Sequence, residues 1–346
     1  MESSATDKTR RFLWEVCGHG RITDYLKSSI VNNQVSHAYI FAGGNGLGKE
    51  TTVAKFIKTL FCSGRGEYLP CNECPACRQI DSKIHPDIYY LRRLIDEKTS
   101  KLKRDISVEQ VRELKSKLSQ STLLRGWKIA IIEEAEALNG NSANSLLKVL
   151  EEPTAKTAII LITSDISRLP KTVLSRSLVL NFLPVRKEEI KEFLLSRGVG
   201  EEKAGRISRL ALGRPGTAMT LAENPEALAE KQQRFADFIN LFRSDLSARL
   251  SSIDTVISWE KDESLNIKKL IGLLADWQTA LRDLILARNG NQADLADLRA
   301  VKEMSGSEQL SWGRILRADY FLAEAKRMLD ANISSKNILE NLVINL

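Results

Sequence analysis

The feature that most limits what this chain can fold into is a glycine-rich stretch, Gly43-Gly44-Asn45-Gly46-Leu47-Gly48-Lys49-Glu50, set between two patterns of different period. Ahead of it HAYIFAG (37–43) is apolar and rich in strand formers, and behind it TTVAKFIKTLF repeats apolar residues at helical spacing. Strand, glycine turn and helix open a parallel-sheet crossover, and the G-x-x-x-x-G-K spacing is that of a loop that wraps phosphates. Gly43, Gly46 and Gly48 let backbone N–H groups turn inward, the helix adds its positive end, and Lys49 reaches toward β- and γ-phosphates. A plain turn joining strand to helix would use the same glycines. Glu50 departs from the pattern, which takes Ser or Thr there to ligate Mg²⁺. A carboxylate about 4 Å from a phosphate repels it by about 4 kcal/mol at an effective dielectric near 20. Glu50 could also take the metal or turn into solvent, while Thr51, about 100° further round the helix, is a poor replacement. ATP with Mg²⁺ is therefore a weakened candidate ligand.

The same alternation of period continues. DIYYLR (87–92), WKIAIIEE (127–134), TAIILITS (157–164) and SLVLNF (177–182) read as strands, two of them with the unbroken apolar runs of strands buried on both faces. NSANSLLKVLEEP (141–153) reads as a helix that Asn139 or Asn141 can cap and Pro153 ends. From about 225 onward only helical periodicity remains, in FADFINLFRSDL, IKKLIGLLADWQTALRDLILA and DYFLAEAKRMLDA. A chain of 346 residues exceeds one comfortable core. It divides into an α/β part (1–184), a small helical unit (185–224) and a helical bundle (225–346). The polar start, MESSATDKTRR, and the lack of any run of about 18 apolar residues set the expectation of a cytoplasmic chain that makes no use of a membrane. A net charge of +7 mildly favours an anionic partner.

Two further constellations carry chemistry. Glu133 and Glu134 end the strand WKIAIIEE, where one carboxylate would meet the Mg²⁺ shell and the next would activate water. The lesser alternative is two solvated acids where a strand leaves the sheet. Cys62, Cys71, Cys74 and Cys77 (62–77) offer four thiolates at spacings that suit a closed tetrahedral structural Zn²⁺, with Pro70 and Pro75 forcing turns. An iron–sulfur cluster and four free thiols are the competing readings. Cys17, His37 and His85 read as structural, and no role for His19 is legible.

Taken together, HAYIFAGGNGLGKE, the four-cysteine insertion, KIAIIEEAEALNGNSANSLLKVLEEPT and ITSDISRLPKTVLSRS resemble the AAA+ clamp-loader subunits of bacterial DNA polymerase III, over roughly residues 15–220. RDISVEQVRELKSKLSQ and IHPDIYYL are most similar to the delta-prime branch. The resemblance implies an AAA+ P-loop domain with a zinc knuckle, a helical lid and an all-α collar that holds subunits in a ring. It implies motor (gamma/tau) and delta subunits as partners, with a sliding clamp and primer–template DNA reached through the assembled complex. Ser175 and Arg176 match the family's Ser-Arg-Cys motif, with Ser177 in place of the cysteine, which implies an arginine finger acting on a neighbour's ATP. Outside that motif Arg176 would read as a surface arginine. Thr163 matches the γ-phosphate-sensing residue, and Gly216 stands where motor subunits place a sensing arginine.

Three functions follow. One is a stator that completes a clamp-loader ring during DNA replication, is part of the polymerase III holoenzyme and has little or no ATPase of its own. The second is an ATP-binding, slowly hydrolysing motor-type subunit. The third is a free-standing zinc protein that binds nucleic acid, for which Lys101, Lys103 and Arg104 are the only further support, without interleaved aromatics.

Overall fold

The computed structural model describes residues 11–95, 103–120, 126–290, 295, 311–331 and 333–346; Lys101 and most of the polar start lie outside the described residues. The chain separates into two compact units, residues 1–189 with 213–216, and residues 190–212 with 217–346.

The first unit runs β1 (Arg11–Phe12), α1 (Gly20–Val31), β2 (Ala38–Ala42), α2 (Lys49–Phe61), β3 (Tyr68–Leu69), α3 (Pro75–Asp81), β4 (Ile88–Leu91), α4 (Val108–Ser119), β5 (Lys128–Ile132), α5 (Gly140–Glu151), β6 (Thr157–Thr163), α6 (Lys171–Leu174) and β7 (Leu178–Asn181). Five strands form one all-parallel sheet in the order β4-β5-β6-β2-β7. Alternation along β2 explains its unbroken apolar run. Ala38, Ile40 and Ala42 pack on one face with residues of α4 and α5, while Tyr39 and Phe41 pack on the other with residues of α1 and α2. Each strand expected from the sequence is present within two residues of its expected ends.

Local chemistry sets the helix ends. The Asn139 side chain accepts from the Ser142 amide 2.9 Å away, so of the two candidate caps Asn139 starts α5. Ser107 and Gln110 form a reciprocal capping box on α4. The buried Lys128 ammonium donates to the Leu118 and Gln120 carbonyls, so the first residue of β5 satisfies the end of α4. The sequence does not announce the parallel pair β1–β3, whose two-residue strands are too short to carry a period.

β2 sits between β6 and β7, and the chain leaves it for the far edge of the sheet before returning past it. The carboxyl end of such a strand is a topological switch point, where an open α/β sheet presents a crevice. The glycine loop occupies that end.

After β7 come α7 (Lys187–Ser196), α8 (Glu201–Leu210), α9 (Pro215–Glu223), α10 (Pro225–Arg243), α11 (Leu246–Val256), α12 (Glu263–Arg288), α13 (Trp312–Asp330) and α14 (Ser335–Asn345); α7 and α9 straddle the boundary between the units. The second unit is wholly helical among the described residues. Its core contains Trp277 packed on Phe238, with Phe235, Phe242, Leu274, Leu284, Leu322 and Leu342 fully or almost fully buried. Asp276, next to Trp277 in sequence, is buried and is bridged to Lys231 and, at 3.2 Å, to Arg234. No helix of the described residues is long and apolar enough to cross a membrane.

Candidate functional site

The glycine loop adopts the backbone its sequence demands. Gly43, Gly46 and Gly48 have φ of 146°, 79° and 90°, and a Cβ on Gly43 would come 2.3 Å from the Phe182 carbonyl oxygen. His19, itself left-handed at the N-cap of α1, packs against Phe182 with the rings tilted by 52° and donates through Nε2 to the Leu47 carbonyl at 2.9 Å. This histidine, silent in the sequence, braces the loop. Burial keeps it neutral by lowering its pKa, against the weaker pull of the Leu47 carbonyl and Glu189.

A cavity of about 390 Å³ opens beside the loop, lined by Asn45, Gly46, Gly48, Lys49, Glu50, Thr51, Glu133, Glu134, Glu136, Ile162, Thr163, Ser164 and Gly216. The structure thus brings Gly46, Gly48, Lys49, Glu50, Thr51, Glu133, Glu134 and Thr163 together, with Gly43 at the base of the loop. Their individual commitments are less like a working nucleotide site. Lys49 is 6% exposed and its ammonium donates to the carbonyls of Gly43 and, at 2.8 Å, Gly44. Burial lowers its pKa, partly offset by Glu136 and then Glu50. Glu50 is exposed, so the repulsion expected from it is screened by water. Glu133 is paired with Lys83 at 2.8 Å. Glu134, left-handed at φ 53°, holds Arg93 through both oxygens at 2.8 Å.

Sequence reasoning missed Glu136. One turn of 3₁₀ helix (Ala135–Ala137) after β5 points its carboxylate back at the end of β6, where Oε1 accepts from the Ser164 amide at 3.1 Å and from the Ser164 hydroxyl. Gly216 closes the cavity from another side. Its amide donates to the Gly46 carbonyl at 2.8 Å, and a Cβ there would lie 3.1 to 3.4 Å from the Gly46 backbone.

Around the knuckle, the Sγ atoms of Cys62, Cys71, Cys74 and Cys77 all lie within 4.8 Å of one another. A tetrahedron with Zn–S bonds of about 2.3 Å has edges of about 3.8 Å, so the donor set fits zinc with small adjustments. Cys62 follows α2, Cys74 is the N-cap of α3 and Pro75 its first residue. The Cys71 amide donates to the Cys62 sulfur and the Cys74 amide to the Cys71 sulfur, each at 3.4 Å. Gly64 makes room, since a Cβ there would sit 2.5 Å from the Cys71 sulfur. Burial alone would raise the Cys74 thiol, but donors from Cys77 and Ser63 outweigh it and bring the pKa to about 6. Burial pushes Cys77 and, less, Cys62 upward. His85 stays outside this cluster, edge-on to Phe61 and accepting from the Asp87 amide at 3.3 Å.

Arg176 lies on the far side of α6 from this chemistry in sequence terms and is bound locally. Its guanidinium donates to the Thr172 carbonyl at 3.1 Å and the Ser175 hydroxyl at 3.2 Å, and pairs with Glu151 at 2.8 Å. Both charged partners are partly exposed, at 36% and 48%.

Comparison with known proteins gives these features a context. The family model described as "DNA polymerase III, delta subunit" matches residues 18–186. The chain is 28% identical over 312 residues to DNA polymerase III subunit delta' of Pseudomonas aeruginosa, covering 90% of this chain and 92% of that one. It is 28% identical over 331 residues to the delta' subunit of Bacillus subtilis, covering 94% and 95%. Subunit tau of Bacillus subtilis is 30% identical over 176 residues, 51% of this chain and 30% of that one. The chain is thus similar to DNA polymerase III clamp-loader subunits, and it resembles the delta' subunits along nearly its whole length.

Proposed function

We propose that this chain is the stator of a clamp-loader ring, contributing an arginine to a neighbour's ATP site while its own cleft does little or no hydrolysis. The observation that carries this reading is a contrast of commitments. Inside the cleft, Lys49 is turned onto loop carbonyls and Glu134 is held at both oxygens by Arg93. At the surface, Arg176 is retained by one partly exposed ion pair and two neutral acceptors. An exposed pair is worth about 0–1 kcal/mol, so exchanging Glu151 for a phosphate costs little. A guanidinium so placed can carry charge that develops on a transferring phosphoryl group, with Ser175 orienting it.

The residues present do not fit a working Mg²⁺–ATP site well, so no hydrolytic step is assigned to this chain. The alternative, an ATP-binding motor-type subunit that turns over slowly, keeps its support in the complete glycine loop, Lys49 and Thr163. The cysteine knuckle suits a structural Zn²⁺ held by Cys62, Cys71, Cys74 and Cys77, which would cross-link the end of α2 to α3 and supply folding energy rather than chemistry.

Residues 1–184, 185–224 and 225–346 would act as AAA+ domain, lid and collar. In the collar, Trp312, Leu316 and Tyr320 are 43%, 64% and 58% exposed at four-residue spacing along α13. Such an uncovered apolar stripe suits packing against motor (gamma/tau) or delta subunits, and the assembled ring would load the sliding clamp on primed DNA. Cytoplasmic replication is the setting of this reading. Mixing the chain with motor and delta subunits at micromolar concentration should give one complex by light scattering, and Leu316→Asp should weaken it. A chain that stays monomeric in that mixture would refute the reading.

A further inference from the structure

We infer that the Glu136 carboxylate is a built-in substitute for a terminal phosphate, and that it makes this cleft selective against nucleoside triphosphates. The inference deepens the stator reading by naming what excludes the ligand. It rests on the identification of residues 43–50 as a phosphate-type loop, and not on assembly with other subunits.

A terminal phosphate in such a loop is an anion held between an ammonium group and hydroxyl or N–H donors at the end of the adjoining strand. Here those donors are spent on Glu136. Its Oε1 accepts the Ser164 amide at 3.1 Å and the Ser164 hydroxyl, and Thr163 lines the same cavity. Its Oε2 is shielded from solvent and has no hydrogen-bond partner among the described residues. Glu136 is also the foremost acidic influence on Lys49, ahead of Glu50. Burial by itself would favour the neutral acid, yet the Ser164 and Thr163 donors and the Glu136 amide hold its pKa below the usual glutamate value. The group is therefore an anion at neutral pH that lines the same cavity as Lys49, whose ammonium is itself held by the Gly43 and Gly44 carbonyls.

This distinguishes Glu136 from the other acids that line the cavity. Glu50 is exposed, Glu133 belongs to Lys83 and Glu134 to Arg93. A γ-phosphate entering the loop would meet a fixed negative charge that has already taken its hydrogen-bond donors. A diphosphate, one phosphate shorter, is expected to meet that charge less.

The test is calorimetric titration of the full reduced chain with MgATP and with MgADP, on wild type, Glu136→Gln and Glu136→Ala. The glutamine keeps an acceptor for Ser164 and removes only the charge, so it guards against a folding artefact in the alanine variant. The expected result is a tightening of ATP binding by about tenfold or more in both variants, as removal of one fixed like charge implies, with ADP changed much less. Adding Lys49→Ala to Glu136→Gln should abolish the gain. Equal ATP affinity in wild type and Glu136→Gln, or an equal gain for ATP and ADP, would overturn the inference. Because no partner subunit is present, either result leaves the ring assembly to be judged separately.

Discussion

Removing zinc from the knuckle should destabilise the first unit by an amount that its geometry sets. The metal would close a loop from Cys62 to Cys77, cross-linking the end of α2 to α3. Closing a loop of about 15 residues is worth roughly 3 kcal/mol through the entropy of the unfolded chain. The segment retains other anchors without metal. The buried Lys58 ammonium still reaches Asn72 at 3.2 Å and Asp81, and β3 still pairs with β1. The unit should therefore weaken without unfolding. For a unit of roughly 190 residues, 3 kcal/mol corresponds to a fall in Tm of roughly 6–12 °C. Scanning calorimetry of the reduced chain before and after chelation reads this shift. Cys74→Ser should show a shift of similar size and no further change on chelation. Reduced protein that contains no metal by elemental analysis, or a chelation shift below about 2 °C, would refute the reasoning.

In metal-stripped protein, alkylation of Cys74 should rise with pH around a midpoint of about 6, while the buried Cys77 stays slow; mass spectrometry of digests would show it, and a Cys74 midpoint near that of an ordinary thiol would contradict the hydrogen bonding described. In the second unit, Asp276→Ala leaves Lys231 and Arg234 facing each other without their shared carboxylate, and should cost about 3 kcal/mol in urea unfolding; a loss below about 0.5 kcal/mol would mean the cations simply turn to solvent.

What was legible in the sequence follows physical period and local chemistry. Strands buried on both faces write continuous apolar runs, so β2, β5 and β6 announced themselves, and a helix start next to Asn139 needs only its own neighbours. The cysteine cluster was legible because its four donors fall in one short segment. What was not legible is pairing across distance. Arg93 lies 41 residues from Glu134, and Lys83 lies 50 from Glu133, so nothing local joins them. Glu136 looked like a third acid in a polar stretch until β6 brought Ser164 to it. Gly216 reads in sequence as a missing arginine; folded, it is a glycine whose amide meets the loop at Gly46, where a side chain would crowd the backbone. Packing also joins residues 213–216 to the first unit, across a stretch of chain that belongs to the second.

The stator proposal is tested most directly by the clamp- and primed-DNA-stimulated ATPase of a reconstituted loader carrying Arg176→Ala or Lys49→Ala in this chain. The account predicts a steep fall, about 10³-fold at the affected site, for Arg176→Ala, because a finger stabilises charge made only in the transition state. It predicts little change for Lys49→Ala, whose ammonium is already turned onto Gly43 and Gly44. A strong loss with Lys49→Ala and none with Arg176→Ala would contradict it, and would make this chain a motor.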